Sequence, residues 1–246
     1  MRADYAESYR ELYERHWWWR AREKFILNIL RAQQPPEGWK RILDVGCGDG
    51  LFFDQLAQFG EVEGVEPAAD LVNKTRPHQS RIHIGPFDET FHPAEPFSLI
   101  LFLDVLEHLP DPVGALRHAL RLLAPGGAIL VTVPAFNLLW TNHDNINHHL
   151  MRYTKATFRQ LALKAGFEIQ TQKYFFHWTF PAKLMTRIAE RALRSEPKPA
   201  AIPPQWINGL LYGLSRLEQE IWGPFPLPFG SSLMVMGRNA TPRKTG

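Results

Sequence analysis

Residues 41–50, RILDVGCGDG, decide the fold of this chain. The first half is a short apolar run, which is typical of a central parallel strand covered on both faces. The second half carries glycine at every other position: Gly46, Gly48 and Gly50. Glycine permits a tight turn after a strand and lets the main chain approach a ligand closely. A strand that ends in such a turn predicts a nucleotide-binding α/β unit, with the ligand above the carboxyl end of the strand.

Strand and helix patterns alternate downstream of this stretch. Further strands are expected over residues 61–65, 81–85, 97–103, 128–133, 167–176 and 232–237. Helices are expected over residues 51–59, 68–76, 112–123 and 155–164. This alternation predicts one α/β domain with a largely parallel sheet.

Three segments are distinguished by composition. Residues 1–38 are predicted to be an N-terminal helical cap, made of two helical segments interrupted by HWWWR at residues 16–20. Three consecutive tryptophans cannot all lie on one buried helix stripe, so at least one is expected to pack over a ligand or a domain edge. The main domain is assigned to residues 39–180 and 231–240, and a helical insertion to residues 181–230.

Composition narrows the class of protein. The formal charge of +3 on 246 residues is too weak to indicate nucleic-acid binding. A single cysteine, Cys47, allows no internal disulfide, and this predicts a reducing, cytoplasmic location. Cys47 is interpreted as a small residue that fits under a ligand rather than as a nucleophile. The N-terminus has no apolar segment of the kind found in signal peptides.

The insertion allows three interpretations. Its first part carries basic residues at helical spacing: Lys183, Arg187, Arg191 and Arg194. Its second part has one apolar helical stripe: Ile207, Leu210, Leu211, Leu214, Leu217 and Ile221. Residues 181–222 could be a lid, an element that lies on the inner membrane surface, or a dimer interface. The sequence leaves these open, together with the choice between monomer and homodimer.

The motifs together resemble the class I S-adenosylmethionine-dependent methyltransferases. The resemblance rests on ILDVGCGDG, on Glu66 after the second strand and on LILFLDVLEHLPDP, and it spans roughly residues 40–178 plus the last strand. The glycine spacing is G-x-G-x-G rather than the G-x-G-x-x-G of dinucleotide dehydrogenases. The resemblance implies a Rossmann-like seven-stranded sheet of order 3-2-1-4-5-7-6, with strand 7 antiparallel.

The resemblance also implies roles on the cofactor side. Asp44 and the glycine turn would hold the amino-acid portion of S-adenosylmethionine, and Glu66 would bind both ribose hydroxyls. Phe87 and Asp88 would border the adenine, and Leu103 would line the methyl-transfer face. Glu66 also lies about twenty residues beyond the first turn glycine, where an acidic residue suits ribose.

The acceptor side is expected to follow the fourth strand. The segment Asp104-x-x-Glu107-His108 resembles ubiquinone-pathway O-methyltransferases, which carry glutamate in place of Asp104 and hold a divalent metal there. Because of this departure no metal is predicted, and these three residues are the candidate ligands if one is used. His108 is the first choice as general base, with Asp104 and Glu107 beside it.

A second polar cluster follows the fifth strand and comprises His143, Asp144, His148, His149, Arg152 and Tyr153. It is interpreted as an acceptor-binding loop, with His143 or His148 as an alternative base and with Arg152 and Tyr153 steering a phenolic or anionic acceptor. The expected function is O-methylation of a small-molecule or lipid-linked acceptor: a phenol, a quinone precursor or a glycan hydroxyl. The alternative is a cofactor-binding regulatory or scaffolding protein without transfer activity.

Overall fold

The computed structural model describes residues 3–73, 77–193, 199–223 and 225–239. Within these ranges the chain forms eight α-helices: α1 (Ala3–Arg15), α2 (Trp17–Gln33), α3 (Phe53–Leu56), α4 (Pro112–Leu122), α5 (Asn142–Ile146), α6 (Lys155–Ala165), α7 (Thr179–Leu193) and α8 (Gln205–Trp222). The strands are β1 (Arg41–Val45), β2 (Glu61–Glu66), β3 (Ile82–Ile84), β4 (Phe97–Leu103), β5 (Leu123–Pro134), β6 (Phe167–Phe175) and β7 (Ser232–Asn239). Residues 74–76 of a predicted helix, residue 194 of the basic helical face and residue 240 of the assigned main domain lie outside the described residues.

The seven strands form one sheet of order β3-β2-β1-β4-β5-β7-β6, as the resemblance implies. The first five strands are parallel. Strand β7 runs antiparallel to both of its neighbours, β5 and β6. The carboxyl ends of β1, β2, β4 and β5 therefore meet at one edge of the sheet, which is where ligands bind in open α/β folds.

The sheet is covered on both faces, and successive side chains of its central strands enter opposite core layers. In β4, Ile100 and Phe102 pack in the layer with helices α4 and α6, while Leu99 and Leu101 pack in the layer with α2. All four side chains are fully buried. Burial on both faces explains why these strands are continuous apolar runs rather than alternating ones.

Two local predictions were wrong. The helix predicted over residues 51–59 is only the short α3, and residues 68–73 are turns rather than a helix. Side chains explain the turns: Glu66 accepts a hydrogen bond from the Ala68 N–H (2.9 Å) and Asp49 accepts one from the Asn73 N–H (2.7 Å). These bonds offer the backbone an alternative to a helix.

The N-terminal helices are interrupted within residues 16–20, as predicted, but at only one residue of that block. His16 alone separates α1 from α2, and its side chain accepts from the Trp18 N–H as an N-cap. The three tryptophans form the first turn of α2, where all three are half-buried and Trp17 and Trp18 pack against Phe176.

Helix α8 is inverted relative to an ordinary amphipathic helix. Its buried side chains are polar, Asn208, Ser215 and Glu218. Asn208 accepts from the Trp17 N–H (2.8 Å) and donates to the Arg15 carbonyl (2.8 Å), while Glu218 accepts from the His177 and Trp178 N–H groups. The polar face is buried because it bonds to the backbone at two chain breaks.

Four of the six residues in the predicted apolar stripe of α8 consequently face outward, while Ile207 and Leu211 are half-buried. Leu210, Leu214, Leu217 and Ile221 are between 41% and 63% exposed. In the part of the chain that the structure describes, no helix is long and apolar enough to cross a bilayer.

Candidate functional site

The glycine turn after β1 forms the floor of the site. Gly46 and Gly48 have φ angles of +71° and +55°, which favour glycine. A Cβ at Gly46 would lie 2.8 Å from Val105 Cγ2, whereas a Cβ at Gly48 would project into open space. Glu66, at the end of β2, accepts from the Gly48 N–H (2.9 Å). The turn and the β2 carboxylate thus form one cradle beside an open volume. Gly50, the third turn glycine, also has a positive φ of +66°.

Two carboxylates beside the glycine turn, Asp44 in β1 and Glu66 in β2, lie in a low-polarity environment. Burial raises the pKa of Asp44 to about 7, against an opposing effect from Arg22. Burial also raises the pKa of Glu66, although its hydrogen bonds from Ala68 and Gly48 oppose the rise. Carboxylates that are poorly hydrated gain most from a cationic or hydroxyl-bearing ligand. The cradle therefore fits the ammonium and ribose groups of S-adenosylmethionine.

Cys47 occupies a structural position in the turn. Burial raises the pKa of its thiol, and the side chain packs against Gly64 and Phe53. A thiol of raised pKa is not a nucleophile at neutral pH, as the sequence predicted.

A cavity of about 180 Å³, here called the central pocket, lies beyond the turn. Its walls include Gly46, Leu103, Asp104, Glu107, His108, His149, Arg152 and Lys183. The pocket contains predicted residues from both polar clusters. They meet because the Leu150 N–H donates to the Glu107 carbonyl (2.8 Å), which fixes the loop after α5 against the end of β4.

Asp104 is held in an ion pair at the end of β4. The Arg22 Nε lies 2.6 Å from Asp104 Oδ2, and the Asp104 N–H donates to the Thr132 carbonyl (2.9 Å). The backbone of Asp104 is left-handed, with a φ of +57°. Strain of this kind collects at functional sites. A carboxylate paired with a guanidinium orients the pocket and does not act as a free base.

Glu107 is fully buried, and neither carboxylate oxygen has a hydrogen-bond partner among the described residues. Burial and the nearby Asp104 raise the pKa of Glu107 well above its usual range. One ligand atom each from Glu107, His108 and His149 lie within 4.8 Å of one another. Two imidazoles and a carboxylate without a partner fit a divalent cation.

His149 is oriented by a buried ion network. Its Nδ1 lies 2.7 Å from Asp144 Oδ1, and Asp144 also binds Arg152 through two bonds, 2.8 Å and 2.9 Å long. Although burial opposes it, the bonds from His149 and Arg152 hold the pKa of Asp144 below its usual range. The Asp144 bond leaves Nε2 of His149 free for the pocket, where the ring packs edge-on against His108, with centroids 4.8 Å apart.

The remaining predicted site residues do not all reach the central pocket. Tyr153 is buried, and its hydroxyl donates to the Leu106 carbonyl (3.2 Å), which favours a structural role; its role toward the acceptor stays a prediction. His143 does line the pocket, and burial lowers its pKa to about 4. Phe87 packs on Phe102 in the core layer, and Asp88 accepts from the Thr90 N–H and hydroxyl. Contact of Phe87 and Asp88 with adenine stays a prediction.

A larger cavity of about 670 Å³, here called the tryptophan groove, adjoins the central pocket. Its aromatic walls are Trp17, Trp18, Trp19 and Trp178, and one wall of α7 contributes Ala182, Thr186 and Ala189. Trp18, Trp19, His143 and Lys183 line both cavities. The tryptophans of the HWWW block thus line a cavity, and the packing of one of them over a ligand stays a prediction.

Sequence reasoning missed three side chains of the central pocket as functional: Arg22, His149 and Lys183. Arg22 lies in α2, 82 positions from its partner Asp104, and no local motif marks it. His149 was grouped with its cluster but not singled out. The capping box of Thr141 and Asp144 gives a local signal for the turn that orients it.

Comparisons with known proteins show the family of this chain. A family profile described as "Methyltransferase domain" matches residues 16–172. The chain is 28% identical over 196 residues to a ubiquinone biosynthesis O-methyltransferase of Xanthomonas axonopodis pv. citri, covering 70% of this chain and 82% of that protein. It is 31% identical over 127 residues to the protein of that name from Coxiella burnetii, covering 46% of this chain and 54% of that one.

Solved structures share the fold. A chain in the complex between the Haloferax volcanii Trm112 activator and a methyltransferase superposes with a TM-score of 0.60 at 16% identity, covering 97% of this chain and 95% of that one. A Thermotoga maritima S-adenosylmethionine-dependent methyltransferase gives 0.57 at 17% identity, covering 97% of each chain. At these identities the likeness concerns the fold alone.

Proposed function

This chain belongs to the methyltransferase-domain family and is a class I S-adenosylmethionine-dependent methyltransferase, and from that premise we propose that it methylates the hydroxyl of a phenolic acceptor carrying an apolar chain. The observation that carries the proposal is the tryptophan groove, which shares four wall residues with the central pocket. A hydroxyl in the pocket and a chain in the groove fit one elongated acceptor.

The chemistry asks little of the protein beyond positioning. When bound, S-adenosylmethionine supplies an activated methyl group on a sulfonium. Asp44, Glu66 and the glycine turn would hold this cofactor, whose methyl group would pass to the acceptor oxygen, leaving a neutral thioether and, once the hydroxyl proton is lost, a methyl ether. Arg22 and Asp104 hold the pocket wall in place, and the tryptophans exclude water from the path of attack.

The hydroxyl proton needs an acceptor. His108 lines the pocket, and burial together with His149 lowers its pKa, so the imidazole is neutral at pH 7 and can take a proton. We assign His108 as the base, with His149 packed against it. His143 is the alternative base because it lines both cavities.

The same cluster could serve through a metal. Glu107, His108 and His149 would hold a divalent cation, which would lower the pKa of a hydroxyl bound to it. The paired Asp104 is not needed as a ligand in this arrangement.

A pair of acceptors tests the proposal. With labelled cofactor, 4-dodecylcatechol should be methylated with a kcat/KM about 100-fold above that of 4-methylcatechol, because each buried methylene contributes roughly 0.8 kcal/mol and about four suffice. Equal rates would refute the chain-binding role of the groove. Binding of S-adenosylhomocysteine without transfer to any phenol, quinone precursor or glycan would favour the regulatory alternative.

Matched variants test whether the apolar chain of the acceptor lies in the tryptophan groove. Ala189→Trp fills the groove and should lower kcat/KM for the long acceptor but not for the short one. Ala192→Trp adds the same bulk at an exposed site of α7 outside the groove wall and serves as the control. Loss with both acceptors in Ala189→Trp would point to a disturbed fold instead.

We also propose that the outward stripe of α8 lies on a membrane surface that supplies this acceptor. Leu210 is 63% exposed on that stripe, between Trp206 and Trp222 at the helix ends. Tryptophan suits the interface between lipid and water. Leu210→Glu should reduce the fraction of protein that floats with anionic liposomes by about ten-fold or more. Leu163→Glu, at an 84% exposed leucine of α6, is the control; equal flotation of both variants and the wild type would refute the proposal.

A further inference from the structure

One cation at the junction of the two cavities has no assigned role. Lys183 lies on α7, in the insertion, and lines both the central pocket and the tryptophan groove. It is half-buried, and in the described part of the chain it makes no hydrogen bond or ion pair. A half-buried ammonium without a partner is costly, and this usually points to a ligand.

The position of Lys183 is fixed by its own helix. Arg187 and Glu190 lie one and two turns further along α7, on the same face. Arg187 donates to the Asn137 carbonyl (2.7 Å), and Glu190 accepts from the Asn142 N–H (2.9 Å). These bonds attach α7 to the loop after β5 and leave Lys183, at the start of this face, directed at the cavities.

The charges around Lys183 do not neutralise it. Asp104 and Asp144 attract the ammonium and Arg152 repels it, but Asp104 is paired with Arg22 and Asp144 with Arg152. The lowered pKa of His143 keeps its ring neutral. Each of the two neighbouring carboxylates is therefore held by an arginine, and Lys183 has no carboxylate partner of its own among the described residues.

We propose that Lys183 binds the ionised oxygen of the acceptor, holding the phenolate at the mouth of the central pocket. This inference rests on the proposed function, because it names the group that recognises the acceptor. Burial and Arg152 lower the pKa of Lys183 to about 8, so the side chain is mostly charged at pH 7. An opposite charge at contact distance favours the anion over the phenol and makes the oxygen a better nucleophile.

The experiment uses 4-dodecyl-2-nitrophenol, whose phenolate is coloured, bound to the full-length protein with S-adenosylhomocysteine. In the wild type the pKa of the bound probe should fall by at least about one unit, a ten-fold preference for the phenolate. Lys183→Met should abolish this shift and Lys183→Arg should retain it. Arg191→Met removes an exposed cation from the same helix and should behave as the wild type.

Several outcomes would overturn the inference. One is a wild type that does not bind the probe or leaves the pKa of the bound probe unshifted. Another is a Lys183→Met variant that keeps the shift. A third is a Lys183→Met variant that loses affinity for S-adenosylhomocysteine in calorimetry, which would show that Lys183 serves the cofactor. Methylation of 4-dodecylcatechol by wild type and Lys183→Met at equal kcat/KM would also refute it while leaving the proposed function intact. A Lys183-dependent shift without any methyl transfer would refute the proposed function and leave the anion site standing.

Discussion

Replacing Asp44 by asparagine should stabilise the protein while weakening cofactor binding. Burial raises the pKa of Asp44 from an ordinary 3.8 to about 7 in the folded chain. Between these values the folded protein keeps a proton that the unfolded chain has lost, so stability falls as pH rises from about 4 to about 7. Three pKa units at roughly 1.36 kcal/mol each lower the free energy of unfolding of the wild type by about 4 kcal/mol, and the full loss is reached above pH 7.

Urea unfolding of the wild type and Asp44→Asn from pH 4 to pH 8 measures this effect. The free energy of unfolding of the variant, relative to the wild type, should rise by up to about 4 kcal/mol and then level off. Glu168→Gln, at an exposed carboxylate of β6, controls for the loss of one acidic group. A difference that does not change with pH would refute the reasoning.

Calorimetry on the same samples should find S-adenosylhomocysteine bound at least ten-fold more weakly by Asp44→Asn, on the order of a hydrogen bond to a charged group. Unchanged affinity would remove Asp44 from the cofactor site.

Three further outcomes are expected. Glu66→Ala should weaken S-adenosylhomocysteine binding in calorimetry by about ten-fold or more, whereas Glu61→Ala, at an exposed position of the same strand, should not; equal affinities would contradict the ribose role of Glu66. Glu107→Gln should weaken Mn²⁺ binding, followed by electron paramagnetic resonance, by about ten-fold or more relative to the wild type, and a wild type that binds no Mn²⁺ would show that no cation occupies the cluster. Tyr153→Phe should lower the free energy of unfolding by about 1 kcal/mol through loss of its bond to Leu106 and leave kcat unchanged; a large fall in kcat would restore a catalytic role.

The cofactor half of the site could be predicted from sequence because its determinants are local. The glycine turn follows β1 within five residues, and Glu66 ends the next strand, so short-range geometry fixes both. The strands were predictable for a similar reason, since burial on both faces requires continuous apolar runs such as residues 97–103. Turns stabilised by side chains, as at residues 68–73, were not predictable from periodicity, because the competing bonds come from Glu66 and Asp49.

The acceptor half needed the tertiary structure. Asp104 and Glu107 were expected at the site, but only packing of the N-terminal cap shows that Arg22 neutralises Asp104, and only the fixed loop after α5 brings His149 to Glu107. The sequence placed Lys183 on a basic face, and the packing of α7 directed it into the junction of the two cavities.

The sequence by itself determined the sheet, the glycine cradle and the family. The tertiary structure alone decided which face each helix of the insertion buries. Periodicity in α8 identifies an apolar stripe, and ordinary burial would turn that stripe inward. Backbone groups at the α1–α2 and β6–α7 breaks need partners, and Asn208 and Glu218 supply them, so the polar face is buried and the apolar one is left outside. That choice depends on bonds between segments up to 193 positions apart, which no local pattern encodes.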